Sequence, residues 1–332
     1  MYNNITLMNN YRFKKRHNRK YMKLRDWVPL DKVDWNWLSF NPNAIQILEK
    51  NLDKLDWGWL CQNPNAIHII EKNMDKVNWI CLSLNPNAIH ILEKNGRKAQ
   101  WCMLCLNPNP NALHILEKNL NRKSTVGNEV HWTWLAENPN AIHIIEKNLE
   151  KVNWDHLGMN RNAIHILEKN MDKVNWYFLS RNPNAIHIIE KNMDKVDWKT
   201  LSINPNAVHI LEKNLDKVNW KKMSGNENAI HILEKNLDKL DENCWEVLSG
   251  NENAIHILEK NLDKLNMECW EVLSRNPNIF TYDYEAMKTA MYKEGGFVEE
   301  LMANRFHPKN MKKWNDWGFP INFSNFNNDE DD

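Results

Sequence analysis

The chain has 332 residues, of which 42% are hydrophobic and 26% charged, a composition typical of a folded protein. Lysine plus arginine and aspartate plus glutamate each number 43, so no net charge attracts the chain to nucleic acid or to an anionic membrane. The glycine-rich motifs GxGxxG and GxxxxGK are missing, which excludes the nucleotide-binding enzymes that depend on them.

Residues 1–34 are predicted to form a basic N-terminal segment and cap. They lack the apolar stretch of a signal peptide, and the chain has no run of about 18 apolar residues that could span a membrane. Six cysteines do not make a disulfide framework in a chain of this length, so we expect a soluble protein of a reducing compartment. The basic run is a candidate nucleic-acid or nuclear-import contact, with a solvated capping helix as the alternative; its residues are Lys14, Lys15, Arg16, Arg19 and Lys20.

Residues 35–278 contain one unit repeated eleven times. The unit reads W-x-x-L-S-x-N-P-N-A-I-H-I-L-E-K-N-x-D-K-V-N, and we number positions within it by the residues that follow its Trp. An asparagine stands at position six in every unit. Repetition on this scale predicts a stack of equivalent supersecondary elements. The repeated tryptophans are residues 35, 57, 79, 101, 132, 154, 176, 198, 220, 245 and 270.

Each unit is predicted to form two short helices. Asn63-Pro64 resembles an N-cap followed by proline at the first helical position, so a helix is expected over 65–72. This helix should end near Asn73 in a left-handed conformation. Asn78, replaced by aspartate in other units, is predicted to cap a shorter helix that begins at Trp79.

Helices this short are unstable alone, so the units should stack and bury a shared core that includes the repeated Trp and Leu. The prediction is an all-α fold, an α-solenoid of eleven helix–turn–helix repeats with helical caps. With neighbouring helices about 8–10 Å apart, the array would extend about 90–110 Å. A leucine-rich-repeat horseshoe stays open, because the alternation in Ile67-His68-Ile69 also suits a strand. Residues 279–326 are predicted to be a C-terminal capping region, and 327–332 an acidic disordered tail.

A histidine recurs in the longer helix of nine units, with Gln46 in its place in the first. Side chains spread along a stack converge poorly on one ion, so we predict no metal site. A pH-responsive ridge and a merely solvated face stay as alternatives. Cys102 and Cys105 have the spacing of a zinc or redox pair, but without a second pair nearby they are expected to be small apolar core residues. The histidines are His68, His90, His114, His143, His165, His187, His209, His231 and His256.

Positions one, two and five vary from unit to unit on an otherwise constant frame. If Trp and the Leu at position three face inward, the variable side chains face outward and form a binding surface. The alternative is that these residues pack against adjacent units or have simply drifted. The aromatic and apolar residues of the first seven units suit a protein partner. The candidate partner-binding residues are Trp37, Trp59, Ile80, Met103, Trp134, Tyr177 and Phe178.

Nearly every His, Glu and Asp is a copy at a repeat position, so no singular catalytic constellation exists. We therefore predict that the chain is not an enzyme, needs no cofactor and is a monomer.

The repeat NPNAIHILEKN…DKVNWxxLS, with Asn278–Tyr284 and His307–Asn310 downstream, resembles a family of repeat proteins encoded by giant nucleocytoplasmic DNA viruses. The resemblance covers about residues 35–320. It implies a virus-encoded α-helical repeat protein without catalytic residues, in the host cytoplasm or alternatively in the nucleus or the virion. The resulting hypothesis is a non-enzymatic scaffold that binds an unknown host or viral protein. The alternatives are a nucleic-acid-associated protein that uses the basic segment, and a structural component of the virion.

Overall fold

The computed structural model describes residues 21–118 and 130–292, and its helices follow the repeat. The first helix of a unit begins at the Trp, or three residues before it in the last two units. These helices are α1 (Trp35–Phe40), α3 (Trp57–Gln62), α5 (Trp79–Leu82), α7 (Trp101–Leu104), α9 (Trp132–Glu137), α11 (Trp154–Leu157), α13 (Trp176–Leu179), α15 (Trp198–Leu201), α17 (Trp220–Met223), α19 (Glu242–Ser249) and α21 (Met267–Ser274).

The second helix is present in units one to ten. These helices are α2 (Ile45–Glu49), α4 (Ile67–Glu71), α6 (Ile89–Lys94), α8 (Pro110–Glu117), α10 (Ile142–Glu146), α12 (Ile164–Glu168), α14 (Ile186–Glu190), α16 (Val208–Glu212), α18 (Ile230–Lys235) and α20 (Ile255–Lys260). The described residues contain two strands of three residues each, β1 (Met22–Leu24) and β2 (Phe280–Tyr282), which pair with each other. The prediction of an all-α repeat array is confirmed, and the horseshoe with a strand in every unit does not fit.

The ends of the helices depend on side chains of the repeat. As predicted, the Asn or Asp before the Trp caps the first helix in seven units; in one of them Asn78 Oδ1 accepts the Cys81 N–H at 3.1 Å. The second helix begins two residues later than predicted, at Ile67, because residues 63–66 form a separate turn. The C-terminal asparagine is not left-handed, since Asn73 has φ −136°. Instead its Nδ2 donates to the Ile69 carbonyl at 2.8 Å, which satisfies one of the carbonyls that a helix end leaves unpaired.

The core is a continuous layer of apolar side chains between the two helices of all units. The Leu or Met at position three is buried in every unit, and in α4 the buried residues are Ile69 and Ile70 while His68 and Glu71 are exposed. The repeated tryptophans are less buried than predicted, because only Trp245 and Trp270 are fully enclosed. In eight units a lysine ammonium from the connection to the next unit lies 4.5–5.6 Å from the indole centroid and covers its exposed face.

The asparagines at position six, which we call the ladder asparagines, join successive units. Asn63 Nδ2 donates to two backbone carbonyls of the preceding unit, Ser39 O at 3.0 Å and Asn41 O at 2.9 Å. Its Oδ1 accepts the N–H of Asn65 at 3.0 Å, and Asn65 in turn donates to Pro42 O at 2.7 Å. Every ladder asparagine is buried and makes the same bonds, so consecutive units have one interface in common.

The first and last units form this same interface with each other. Asn41 Nδ2 donates to Ser274 O and Asn276 O, both at 3.0 Å, and Asn43 Nδ2 donates to Pro277 O at 2.9 Å. These are the bonds that each unit makes to the one before it. The eleven units therefore close into a ring, and the expected open array of about 90–110 Å is wrong.

Residues 21–34 complete the eleventh unit, where the sequence predicts a cap at an open end. That unit lacks a second helix and continues into β2, which pairs with β1. Arg25 binds this stretch twice: its backbone N–H donates to Ile279 O at 2.9 Å and its Nε to Asn278 O at 2.8 Å. Lys32 lies over the Trp270 ring at 5.0 Å, as the equivalent lysines do in other units. Both ends of the array thus contribute to one composite repeat.

Apart from its repeats, the chain divides into two compact parts, with the boundary between Thr281 and Tyr282. In the C-terminal part, the described residues form helix α22 (Tyr284–Tyr292). Asp283, directly before this helix, accepts the N–H of Ala286 through its Oδ1 at 2.9 Å. The predicted basic contacts at residues 14–20, the part of the capping region beyond residue 292 and the acidic tail lie outside the described residues.

Candidate functional site: the cavity inside the ring and its rim

The variable side chains form pairs between neighbouring units. Position five of one unit contacts position two of the next: the Phe40 and Trp59 rings lie 5.9 Å apart, and Glu137 binds His156 Nδ1. The pattern continues across the closure, where the Arg275 guanidinium lies 4.9 Å from the Trp37 ring centroid. In these three pairs, the side chains at positions two and five pack against the adjacent unit.

A cavity of about 450 Å³ lies on the inner side of the ring. Eight consecutive units line it, which places it inside the circle that the units form. Position five supplies a lining residue in all eight units. These residues are Leu106, Glu137, Met159, Arg181, Ile203, Gly225, Gly250 and Arg275.

Some charged side chains around the cavity have an oppositely charged neighbour and others do not. Glu137 binds His156, and both side chains are about three-quarters buried. Burial lowers the pKa of Arg275, and nearby Glu246 opposes this shift. Lys222 has no such compensation: burial lowers its pKa, and so do the neighbouring cations Arg181, Lys199 and Lys221. The arc of units seven to nine is therefore strongly basic.

The position-one residues form a circle around the ring, which we call the rim. Two of them are large exposed apolar side chains, Ile80 at 51% and Tyr177 at 49% exposure. The rim consists of Asn36, Gly58, Ile80, Cys102, Thr133, Asp155, Tyr177, Lys199, Lys221, Glu246 and Glu271.

The other predicted partner-binding residues occupy position two and are half-buried. The Trp37 and Trp59 rings lie 4.7 Å apart, Trp134 stacks on His131 at 4.3 Å, and Phe178 lies 5.1 Å from the Tyr177 ring. Met103 is half-buried as well. The structure thus separates the candidates: Ile80 and Tyr177 are open to a partner, while the position-two side chains contact their neighbours.

The repeated histidines form a ladder of His–Glu pairs between units. In eight of the nine, Nε2 lies 2.6–3.0 Å from a glutamate of the preceding unit. Among the described residues His114 has no such pair; two extra residues after Asn107 shift its helix along the chain. Both partners are about half exposed, so each pair contributes little to stability. The pH-responsive ridge stays a prediction.

The six cysteines are free. Cys105 is buried, as predicted, and its Sγ lies 3.3 Å from Trp101 O, in the place of the serine found in most units. Burial raises the pKa of the Cys105 thiol to about 12 and that of Cys61 to about 11.

In residues 21–118 and 130–292, no group of three or more His, Cys, Asp or Glu side chains is arranged to hold a metal ion. Within the same ranges, no helix is long and apolar enough to cross a membrane.

Comparison of the chain with models of protein families, with curated proteins and with solved structures gave no match.

The ladder asparagines were the main feature that sequence reasoning missed. A signal for them exists. The residue after the asparagine changes from Pro to Arg161, Glu227 or Glu252, whereas the asparagine is kept in all eleven units. A capping role alone would also admit Ser, Thr or Asp.

Proposed function

We propose that the protein is a non-enzymatic, monomeric scaffold that binds another protein across its rim. The observation that carries the proposal is the contrast between the surfaces of the ring. The His–Glu contacts and the Lys–Trp contacts are each repeated in eight units, whereas the rim has nine different residue types at its eleven positions. Large exposed apolar side chains on a rigid frame are typical of protein-binding surfaces.

Ring closure supports the monomeric state. An open repeat array exposes the apolar faces of its end units, and these can join a second copy. Here the first and last units cover each other through the ladder bonds of Asn41. We also propose a giant DNA virus as the source and the host cytoplasm as the location, because the repeat resembles those of such viruses. The partner is then a host or viral protein.

Affinity capture with rim variants tests the scaffold role. The tagged full chain and its Ile80→Asp and Tyr177→Asp variants are used to capture proteins from cells that express it, and cross-linking maps each captured protein onto the ring. A true partner should cross-link to the rim and fall at least tenfold in recovery with either variant, because a carboxylate in an apolar contact is costly.

Matched controls are Leu52→Asp and Leu215→Asp, which change apolar residues of similar exposure, 40% and 36%, at position seventeen. Recovery should persist with both. The proposal fails if every captured protein binds the rim variants as well as the wild type, or cross-links only to the second helices of the units.

A further inference from the structure

The basic arc of the cavity brings together cations from three consecutive units. Arg181 at position five of unit seven and Lys222 at position two of unit nine line the cavity, and Lys199 comes from the unit between them. Lys222 is half-buried and close enough to Arg181, Lys199 and Lys221 for their charges to act on it. The ring therefore holds like charges together on an inner wall.

Acidic residues of the described chain do not neutralise this arc. None forms an ion pair with Arg181, Lys199 or Lys222, and Lys221 bonds to the amide oxygen of Asn243 at 2.9 Å. The acids that line the cavity are Glu137, Glu227, Glu246 and Glu252. None of them is among the groups whose charges act on Lys222, and Glu137 binds His156.

Clustered cations in a partly desolvated site are unfavourable unless an anion joins them. Phosphate groups fit best, because a guanidinium can bind two phosphate oxygens at once and an ammonium adds a compact charge. The volume of about 450 Å³ is in the range of pockets for small ligands. We propose that the cavity binds a small phosphorylated ligand, held by Arg181 and Lys222.

The residues proposed to hold the ligand are not members of the protein-binding rim proposed above, although the rim residues Lys199 and Lys221 lie beside them. Arg181 and Lys222 are at positions five and two, whereas the rim consists of position-one residues. A variant of one site can therefore fail while the other still binds, and the two proposals are tested by different substitutions.

Isothermal titration calorimetry of the full chain tests the proposal, with sodium tripolyphosphate and ATP as probes and adenosine as the uncharged control. Both phosphate probes should bind with one site per chain, and adenosine should bind at least tenfold more weakly. Equal affinity for the two probes would indicate that the site recognises only the phosphate groups. Tighter binding of ATP would indicate that the nucleoside contacts the apolar wall near Ile203. Either result supports the site, and no binding of either probe at millimolar concentration overturns it.

Substitutions locate the bound probe. Arg181→Gln and Lys222→Gln should each weaken tripolyphosphate binding about tenfold or more, whereas Lys213→Gln, which changes an exposed lysine directly after α16, should leave it unchanged. Ile203→Glu should also weaken it, because it adds a carboxylate to the cavity wall beside the basic arc. Circular dichroism confirms that each variant is folded. Equal affinity of the wild type and the folded Arg181→Gln and Lys222→Gln variants would place the anion elsewhere and overturn the proposal.

Discussion

At the scale of single residues, three asparagines of the repeat have three separate tasks. Asn63 joins two units, Asn65 adds a second bond between the same units, and Asn73 closes the end of α4. The first task needs a carboxamide, because two N–H groups must donate to buried carbonyls while the oxygen accepts from the backbone. Neither a hydroxyl nor a carboxylate can do all three, which explains why the residue does not vary.

The cysteines permit a residue-scale prediction from their surroundings. Iodoacetamide at pH 8 should modify half-buried Cys102 at least tenfold faster than buried Cys105, which lies one turn away in sequence. Burial raises the pKa of Cys105 to about 12, and the thiolate is the reactive form. Peptide mass spectrometry over a time course measures both rates.

The same experiment in urea is the control, since unfolding should make the two rates similar. Comparable rates in the folded protein would contradict the burial of Cys105. The raised pKa also has a consequence for stability. An unfolded thiol begins to ionise near pH 9, so the burial of the neutral thiol stabilises the fold below that pH and loses its effect as the pH rises towards 12.

The residue scale also shows where sequence reasoning reaches its limit. The cap role of Asn78 can be predicted, because donor and acceptor are three residues apart. The ladder role of Asn63 could not be, because its acceptors belong to the preceding unit, 22 and 24 residues away. A local pattern carries no information about which carbonyls of a neighbouring unit stay unpaired.

At the scale of helices, the pairing of position five with position two explains much of the variation between units. Neighbouring first helices meet through unlike but complementary pairs. Near-identical units could otherwise pack in the wrong order or register, and distinct pairs disfavour such packings. The pairs are Phe40–Trp59, Gln62–Cys81, Glu137–His156, Gly225–Val247, Gly250–Val272 and Arg275–Trp37.

A double-mutant cycle at Gly225 and Val247 measures this pairing. A Cβ added at Gly225 would lie 3.2 Å from Val247 Cγ1, which is tight. Gly225→Ala should therefore be less favourable by about 1 kcal/mol in the wild type than in the Val247→Ala background, where the crowding is gone. Urea denaturation of the four proteins measures the free energies of unfolding.

The matched control for this cycle is Gly96→Ala. The nearest atoms to a Cβ at Gly96 are backbone oxygens at 3.8 Å and 4.0 Å, and none belongs to Val247. Its combination with Val247→Ala should be additive. Additive behaviour of Gly225→Ala as well would show that these residues do not interact.

The helical period predicts which side chains of a helix face the core, but it does not predict which of the others face a neighbouring unit. The buried arc of α4 follows from the helical period of Ile69 and Ile70, and the structure agrees. The direction of Arg181 and Ile203 could not be predicted, because a short first helix has neighbours on two sides and a cavity on a third. Only the arrangement of the units determines which side of a first helix faces solvent.

At the scale of the ring, the decisive feature is the composite eleventh repeat. Residues 30–33, Leu-Asp-Lys-Val, match the connection that precedes the Trp of the other units, and the eleventh unit lacks the second helix that should come before such a connection. The sequence therefore shows the end of a repeat before the first Trp and an incomplete repeat after the last one. It does not show closure itself, because closure depends on the small rotation from each unit to the next, summed over eleven steps.

Closure leads to a prediction that compares one substitution at two places. Asn41→Ala and Asn182→Ala each remove a ladder asparagine and leave two buried carbonyls without a donor. Each should lower the free energy of unfolding by about 2 kcal/mol or more, and by similar amounts, because a ring has no end. In an open array Asn41 would keep only the local bond from the Asn43 N–H and would have no preceding unit to bind, so its removal would cost about 1 kcal/mol or less.

Urea denaturation of the full chain measures both effects, with Asn36→Ala as the control. Asn36 is exposed in the same first unit, so its replacement should change the free energy of unfolding by less than about 0.5 kcal/mol. A cost for Asn41→Ala that is smaller than the cost for Asn182→Ala by about 1 kcal/mol or more would show that the array is open in solution. Similar large costs at both sites require that the last unit bind the first, since Ser274 and Asn276 supply the acceptors of Asn41.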